Sequence, residues 1–145
     1  MKINVLQSKD VLETEIVINC QTIDAEIEKV ISAIRLIDNM IAGKINSEMF
    51  FIPASEIYYF ETVDNKTFFY TKDIMYETQL KLYQVEEKLL GTTFIKTNKS
   101  TIANLKKVKS IKSEFNSRII ASLLNGEKII ISRQYMKCIK SKLGM

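Results

Sequence analysis

Residues 56–71 read EIYYFETVDNKTFFYT, two runs rich in aromatic and β-branched residues separated by Val63-Asp64-Asn65-Lys66. Such side chains suit a pleated, half-buried surface, and Asp and Asn tolerate the backbone conformations of a tight turn. The stretch from Glu56 to Tyr76 therefore predicts an antiparallel hairpin or meander. Its aromatics, Tyr58, Tyr59, Phe60, Phe68, Phe69 and Tyr70, must point to both faces of their strands. That favours core packing over a stacking platform for single-stranded bases.

Toward the N-terminus, Met49 to Ile52 before Pro53 predict a further strand. Residues 16–20, IVINC, predict a short buried strand, after which Thr22 or Asp24 offers an N-cap. Ile27, Val30, Ile31, Ile34 and Ile37 recur at three and four, a helical stripe that packs on the core and stops before Gly43. Toward the C-terminus, Thr78 opens a helix through Gln79 to Leu90, with Leu82, Val85, Leu89 and Leu90 inside and Gly91 as its stop. Phe94-Ile95 leads into the basic stretch of residues 96–112, KTNKSTIANLKKVKSIK. Lys107, Lys109 and Lys112 there alternate with Val108 and Ile111, as in a strand with lysines outside. Arg118 to Leu123 and Lys128 to Ser132 pair across Asn125-Gly126, the strongest two-residue hairpin signal in the chain. A last helix runs from Arg133 or Gln134 to Leu143, with Ser132 as N-cap and Gly144 as stop. The expected class is mainly β (α+β): many short antiparallel strands and three short helices.

The 145 residues are 46% hydrophobic and 26% charged, enough for one compact domain with a core. The sequence contains no His, which removes the commonest general base and zinc ligand together with every Ser-His or Cys-His pairing. Four glycines, at 43, 91, 126 and 144, lie too far apart for a nucleotide-binding loop. Glu86-Glu87 point about 100° apart on the predicted helix and read as a solvated face. Neither an enzyme nor a cofactor nor a metal centre is expected. Cys20 and Cys138 have no metal-ligand spacing and are expected to be buried or half-buried thiols in a reducing cytoplasm. No apolar run approaches the roughly 20 residues of a membrane span, and no leader is expected at the N-terminus.

Charge is divided sharply along the chain. Residues 1–90 hold 9 Lys/Arg against 15 Asp/Glu, a balance of −6, whereas residues 91–145 hold 12 against 2, a balance of +10. A block so basic gains from a polyanion, because phosphate contacts release condensed counterions. A solvated basic face fits the charge alone equally well. Lys and Arg gather with Ser, Thr and Asn at Asn65-Lys66, Lys96 to Asn104 and Ser132 to Lys140, each at a predicted turn or element boundary. Loops of that chemistry suit phosphate positioning and groove-edge readout.

The segments EIYYFETVDNKTFFYT, FIKTNKSTIANLKKVKSIK (residues 94–112) and NGEKIIISRQYMKCIKSKLG (residues 125–144), in this order and spacing, resemble the LytTR family of bacterial DNA-binding domains over roughly residues 48–144. The resemblance implies an elongated arrangement of small antiparallel sheets with short helices, unlike helix-turn-helix proteins. It implies loops that enter successive major grooves on one DNA face, usually at direct repeats in promoters, and bend the duplex. Residues 47–145 would form that domain, and residues 1–46 a strand-helix lead-in with a dimer or regulatory contact, as in members without a receiver domain. Three base-edge positions carry over: Lys66 in the loop after the I-x-x-x-E strand, Lys99 before the Ser of F-x-x-x-x-x-S, and Arg133 of S-R. Arg133 is the foremost, because a guanidinium fork pairs with guanine O6 and N7 in one plane. Lys96, Ser100, Asn104, Lys107, Ser132, Tyr135 and Lys137 are the phosphate-contact candidates. Asn104 could equally close a turn, Tyr135 belong half to the core, and Ser132 simply cap a helix. Lysines replace the His or Asn of some members, so base preference does not transfer.

The implied role is a cytoplasmic transcriptional regulator of promoter DNA, with no small-molecule substrate. A homodimer on tandem sites and a small membrane regulatory protein that docks the acidic N-terminal segment are the expected protein partners. Two other readings predict different behaviour. An RNA or single-strand binder would expose Phe68 and Tyr70, and a basic protein-interaction module would show little affinity for DNA near physiological salt.

Overall fold

The computed structural model describes residues 1–37 and 39–144; Met145, the last position of the expected second domain, lies outside them. In chain order the elements are α1 (Ala25–Ile37), β1 (Met40–Ile45), β2 (Glu48–Pro53), β3 (Tyr59–Val63), β4 (Lys66–Tyr70), β5 (Met75–Thr78), α2 (Leu82–Lys88), β6 (Phe94–Asn98), β7 (Thr101–Asn104), β8 (Val108–Ser113), β9 (Ile119–Leu123), β10 (Lys128–Ile131) and α3 (Arg133–Leu143). Short 3-10 turns at Ala54–Glu56 and Leu105–Lys107 precede β3 and β8. The strands form a seven-stranded sheet of order β2-β1-β5-β4-β3-β7-β6 and a three-stranded sheet of order β10-β9-β8, every pairing antiparallel.

The period of two along a strand explains how one sheet carries two cores. Phe60 and Phe69 point to the face covered by α2 and the end of α1, where Ile41, Ile57, Val85, Leu89 and Leu36 join them. Their neighbours Tyr59 and Tyr70 point the other way and stack at 4.3 Å between ring centroids. There Tyr59 meets Ala103, Ala121, Leu123, Ile131 and Ile139, which fastens the small sheet and α3 to the large one. Phe68 and Tyr70 are half-buried, so the strand aromatics form no open platform.

The meander of residues 56–76 is present. Asp64 and Asn65 both have positive φ, 51° and 64°, as the two-residue turn that twists with its strands requires. At Asn125-Gly126 the hairpin forms through a different turn. Only Gly126 has positive φ there; its N–H donates to the Leu123 carbonyl and Leu123 N–H to Glu127. Four residues thus separate β9 from β10, with Gly126 absorbing the extra twist.

Several expectations are corrected. Residues 16–20 form no strand: Ile16 and Val17 are 62% and 68% exposed, since no neighbouring strand takes up their backbone groups. Gly43 does not stop α1; it lies inside β1, where a Cβ would stand 2.5 Å from Phe69 Cζ and 2.7 Å from Tyr76 Cβ. Thr78 ends β5, and α2 starts at Leu82 after its N-cap Lys81, whose N–H donates to the Gln84 side chain. Leu90, past the last turn of α2, faces solvent, as does Ile37 on α1. Both cysteines are exposed. Asp24 caps α1 as expected, accepting from Ile27 N–H at 3.0 Å. Among the described residues no helix is long and apolar enough to cross a membrane.

Candidate nucleic-acid interface

Strand direction collects the basic turns at one end of the large sheet. The β3–β4 turn places Lys66 there. The β6–β7 turn, with Lys99 and Ser100, lies alongside, because Thr62 N–H donates to the Ser100 carbonyl at 2.9 Å. The β10–α3 junction is brought to the same end by Ser132 N–H donating to the Thr97 carbonyl at 2.8 Å. Lys99, Ser132 and Arg133 then line one shallow concavity with Asn98 and Gln134. Lys66 is exposed on the neighbouring turn and does not line it.

Asn98 makes this arrangement rigid. Its amide donates to the Ile130 carbonyl at 2.8 Å, while its oxygen accepts from the Ser100 N–H at 2.9 Å and the Ser100 hydroxyl at 3.0 Å. One side chain thereby closes the β6–β7 turn and ties it to β10, leaving Lys99 free at the tip. The 32 positions between Asn98 and Ile130 hide this role from local sequence patterns. The Arg133 guanidinium is exposed and reaches the Ser117 carbonyl at 3.4 Å, which brings the β8–β9 loop beside the concavity. That loop carries Arg118 and a fully exposed Phe115, neither expected at the site.

The remaining candidates divide. Lys96 is half-buried with its ammonium 6.0 Å from the centroid of the half-buried Tyr135 ring, and Lys137 is exposed on α3. Ser132 precedes α3 as its N-cap, but its hydroxyl makes no capping hydrogen bond. Asn104 is 1% exposed. Its amide donates to the Ile57 carbonyl, and its oxygen accepts from the Thr93 hydroxyl and Lys106 N–H. Burial therefore takes Asn104 out of the contact set, in favour of the turn-closing role. Lys107 lies at the far end of β8 from the β10–α3 junction, its ammonium 5.1 Å from the centroid of the Tyr58 ring. Strand direction separates it from Lys99 and Arg133.

Among the described residues no group of three His, Cys, Asp or Glu side chains is placed to hold a metal ion. The perturbed ionisable groups belong to the core. Burial pushes the Tyr59 hydroxyl well above the ordinary tyrosine range, helped by the nearby Glu127 carboxylate. Tyr70 is raised by burial and then by Glu61 and Glu127.

Comparison with known proteins agrees with this architecture. The model of the LytTr DNA-binding domain family matches residues 47–144. The LytTr DNA-binding domain of a protein described as a methyl-accepting/DNA response regulator from Bacillus cereus superposes with a TM-score of 0.67 at 27% identity. It covers 74% of this chain and 99% of that one. The sensory transduction protein LytT of Enterococcus faecalis is 32% identical over 97 residues, which are 67% of this chain and 40% of that protein. An uncharacterised HTH-type transcriptional regulator of Staphylococcus aureus is 26% identical over 100% of this chain and 99% of its own length. Despite that description, each pair of successive helices among the described residues is separated by strands. With the family's model spanning both sheets from β2 to the end of α3, this chain belongs to the LytTr DNA-binding domain family.

Proposed function

We propose that the chain binds double-stranded DNA with sequence specificity at promoter direct repeats and regulates transcription, in the cytoplasm and without enzymatic activity. Residues 47–145 act as the DNA-binding unit and residues 1–46 as its regulatory and dimer-forming extension. The β3–β4 turn, the β6–β7 turn and the start of α3 enter the major groove, where Lys66, Lys99 and Arg133 meet base edges. Lys96, Ser100, Ser132, Tyr135 and Lys137 surround them and hold the flanking phosphates. The observation that carries this reading is the convergence of Lys99 and Arg133 on one concavity, beside the turn that bears Lys66. Protruding turns on a rigid sheet can follow a groove about 12 Å wide without an inserted recognition helix.

The half-buried state of Phe68 and Tyr70 disfavours the single-strand alternative. A titration of the chain's own upstream intergenic duplex, random duplex and single strand at two salt concentrations tests the proposal. Preference for the upstream duplex that persists as salt rises supports it. Equal binding of all three, or binding that vanishes near physiological salt, contradicts it. A small membrane regulatory protein docking on the acidic N-terminal segment remains part of the proposal. Its retention by a chain lacking residues 1–45 in a two-hybrid assay would remove it.

A further inference from the structure

We propose that residues 15–20 are a strand whose partner is the free edge of β2 in a second copy of the chain, so that two molecules exchange arms. The large sheet has two edge strands, β2 and β6. β6 is flanked by α3 and β10, whereas β2 pairs with β1 alone and its other edge carries no strand. The β1–β2 register pairs Ile45 with Glu48 across a two-residue turn, so hydrogen-bonded pairs recur at Gly43 with Phe50 and Ile41 with Ile52. The backbone groups of Met49 and Phe51 therefore point outward, and their side chains are 48% and 66% exposed. An uncovered edge with exposed large apolar residues is a template for another strand.

The chain carries a segment of matching chemistry. Glu15 to Cys20 has the composition of a strand and no strand partner; Ile18 is half-buried, while Leu6, Leu12, Ile16 and Val17 are exposed. The hydrogen bonds recorded within residues 1–20 are local, from Val11 and Asp10 to Ser8. The anchored part of α1 is its C-terminal half, where Leu36 is buried and the Ser32 hydroxyl donates to the Gly91 carbonyl. Its 13 residues span about 20 Å, and Ile16 and Val17 beyond its start are exposed. Each exposed apolar side chain offers on the order of 100 Å². With Ile16 and Val17 on the arm given and Met49 and Phe51 on the edge that receives one, each molecule contributes about 400 Å² of apolar side chain, to which the ladder hydrogen bonds of two added strands are joined. The exchange is two-fold and closes on itself. Adding a strand to a seven-stranded sheet is also stronger than pairing two arms into an isolated ribbon.

The full-length chain, without DNA, tests this independently of the DNA-binding reading. Sedimentation equilibrium should give twice the chain mass. Val17→Pro, which removes a ladder donor in the exposed arm, and Phe51→Glu, on the receiving edge, should each return it to the monomer with the helical part of its circular dichroism spectrum unchanged. In a Cys138→Ser background, Met49→Cys should link to the native Cys20 of another chain through a short bis-maleimide. That covalent dimer should disappear when Val17→Pro is added. A monomer at the highest soluble concentration would overturn the proposal. So would a dimer that survives both substitutions, or a Cys20 link formed within one chain.

Discussion

Arg133 is where residue chemistry bears most directly on function, because its planar fork is exposed at the lip of the concavity and held toward the β8–β9 loop by Ser117. Arg133→Ala is expected to cost about 1 to 3 kcal/mol of specific binding and to relax preference at one base pair. Lys137→Ala should instead weaken all duplexes alike and lower the salt slope by about one unit. Competition gel shifts over a panel of single-base variants at several salt concentrations distinguish the two. Tyr59 gives a pH prediction. Unfolded tyrosine ionises near pH 10, while the folded chain holds the Tyr59 and Tyr70 protons to higher pH. The contribution is full below about pH 10 and is lost as pH rises from there toward the folded values. The melting temperature should fall across that window, less steeply in Tyr59→Phe. Gly43→Ala drives a methyl into the Phe69 ring and against the Tyr76 Cβ and should cost about 1 to 3 kcal/mol in a urea melt.

At the scale of elements, the β6–β7 turn and the β10–α3 junction act as one unit because Asn98 joins them. Asn98→Ala should lower duplex affinity by about 1 kcal/mol while leaving the salt slope unchanged, since no charge is removed. Fluorescence anisotropy at three salt concentrations reads both. The same elements show what local sequence reveals. The meander, the basic turns, the α3 boundaries and Asp24 as a cap were legible because turn chemistry and periodicity are local properties. Residues 16–20 have the pattern of a strand, but a strand exists only with a neighbour, and none in the same chain reaches them. Gly43 reads as punctuation, yet its reason is the close approach of a ring from a strand two places away in the sheet. Asn98, Ser117 and the burial of Asn104 depend on contacts between distant positions, which spacing along the chain does not encode. Cys138 lies one position before the buried Ile139 on α3, and a thiol carries no periodic signal to place it.

At the scale of the molecule, two cores back to back hold the large sheet stiff while its turns project from one end. The basic C-terminal part supplies Lys99 and Arg133 there, and the acidic N-terminal part supplies the exposed arm. The central claim is that this end enters the major groove with Arg133 on a guanine. Dimethyl sulfate, which methylates guanine N7 in the major groove, measures it on the upstream duplex at saturating protein. Protected guanines are expected with the parent chain, and one of them should become reactive again with Arg133→Ala while the others stay protected. An absence of N7 protection, or an identical pattern for the two proteins, would contradict the account.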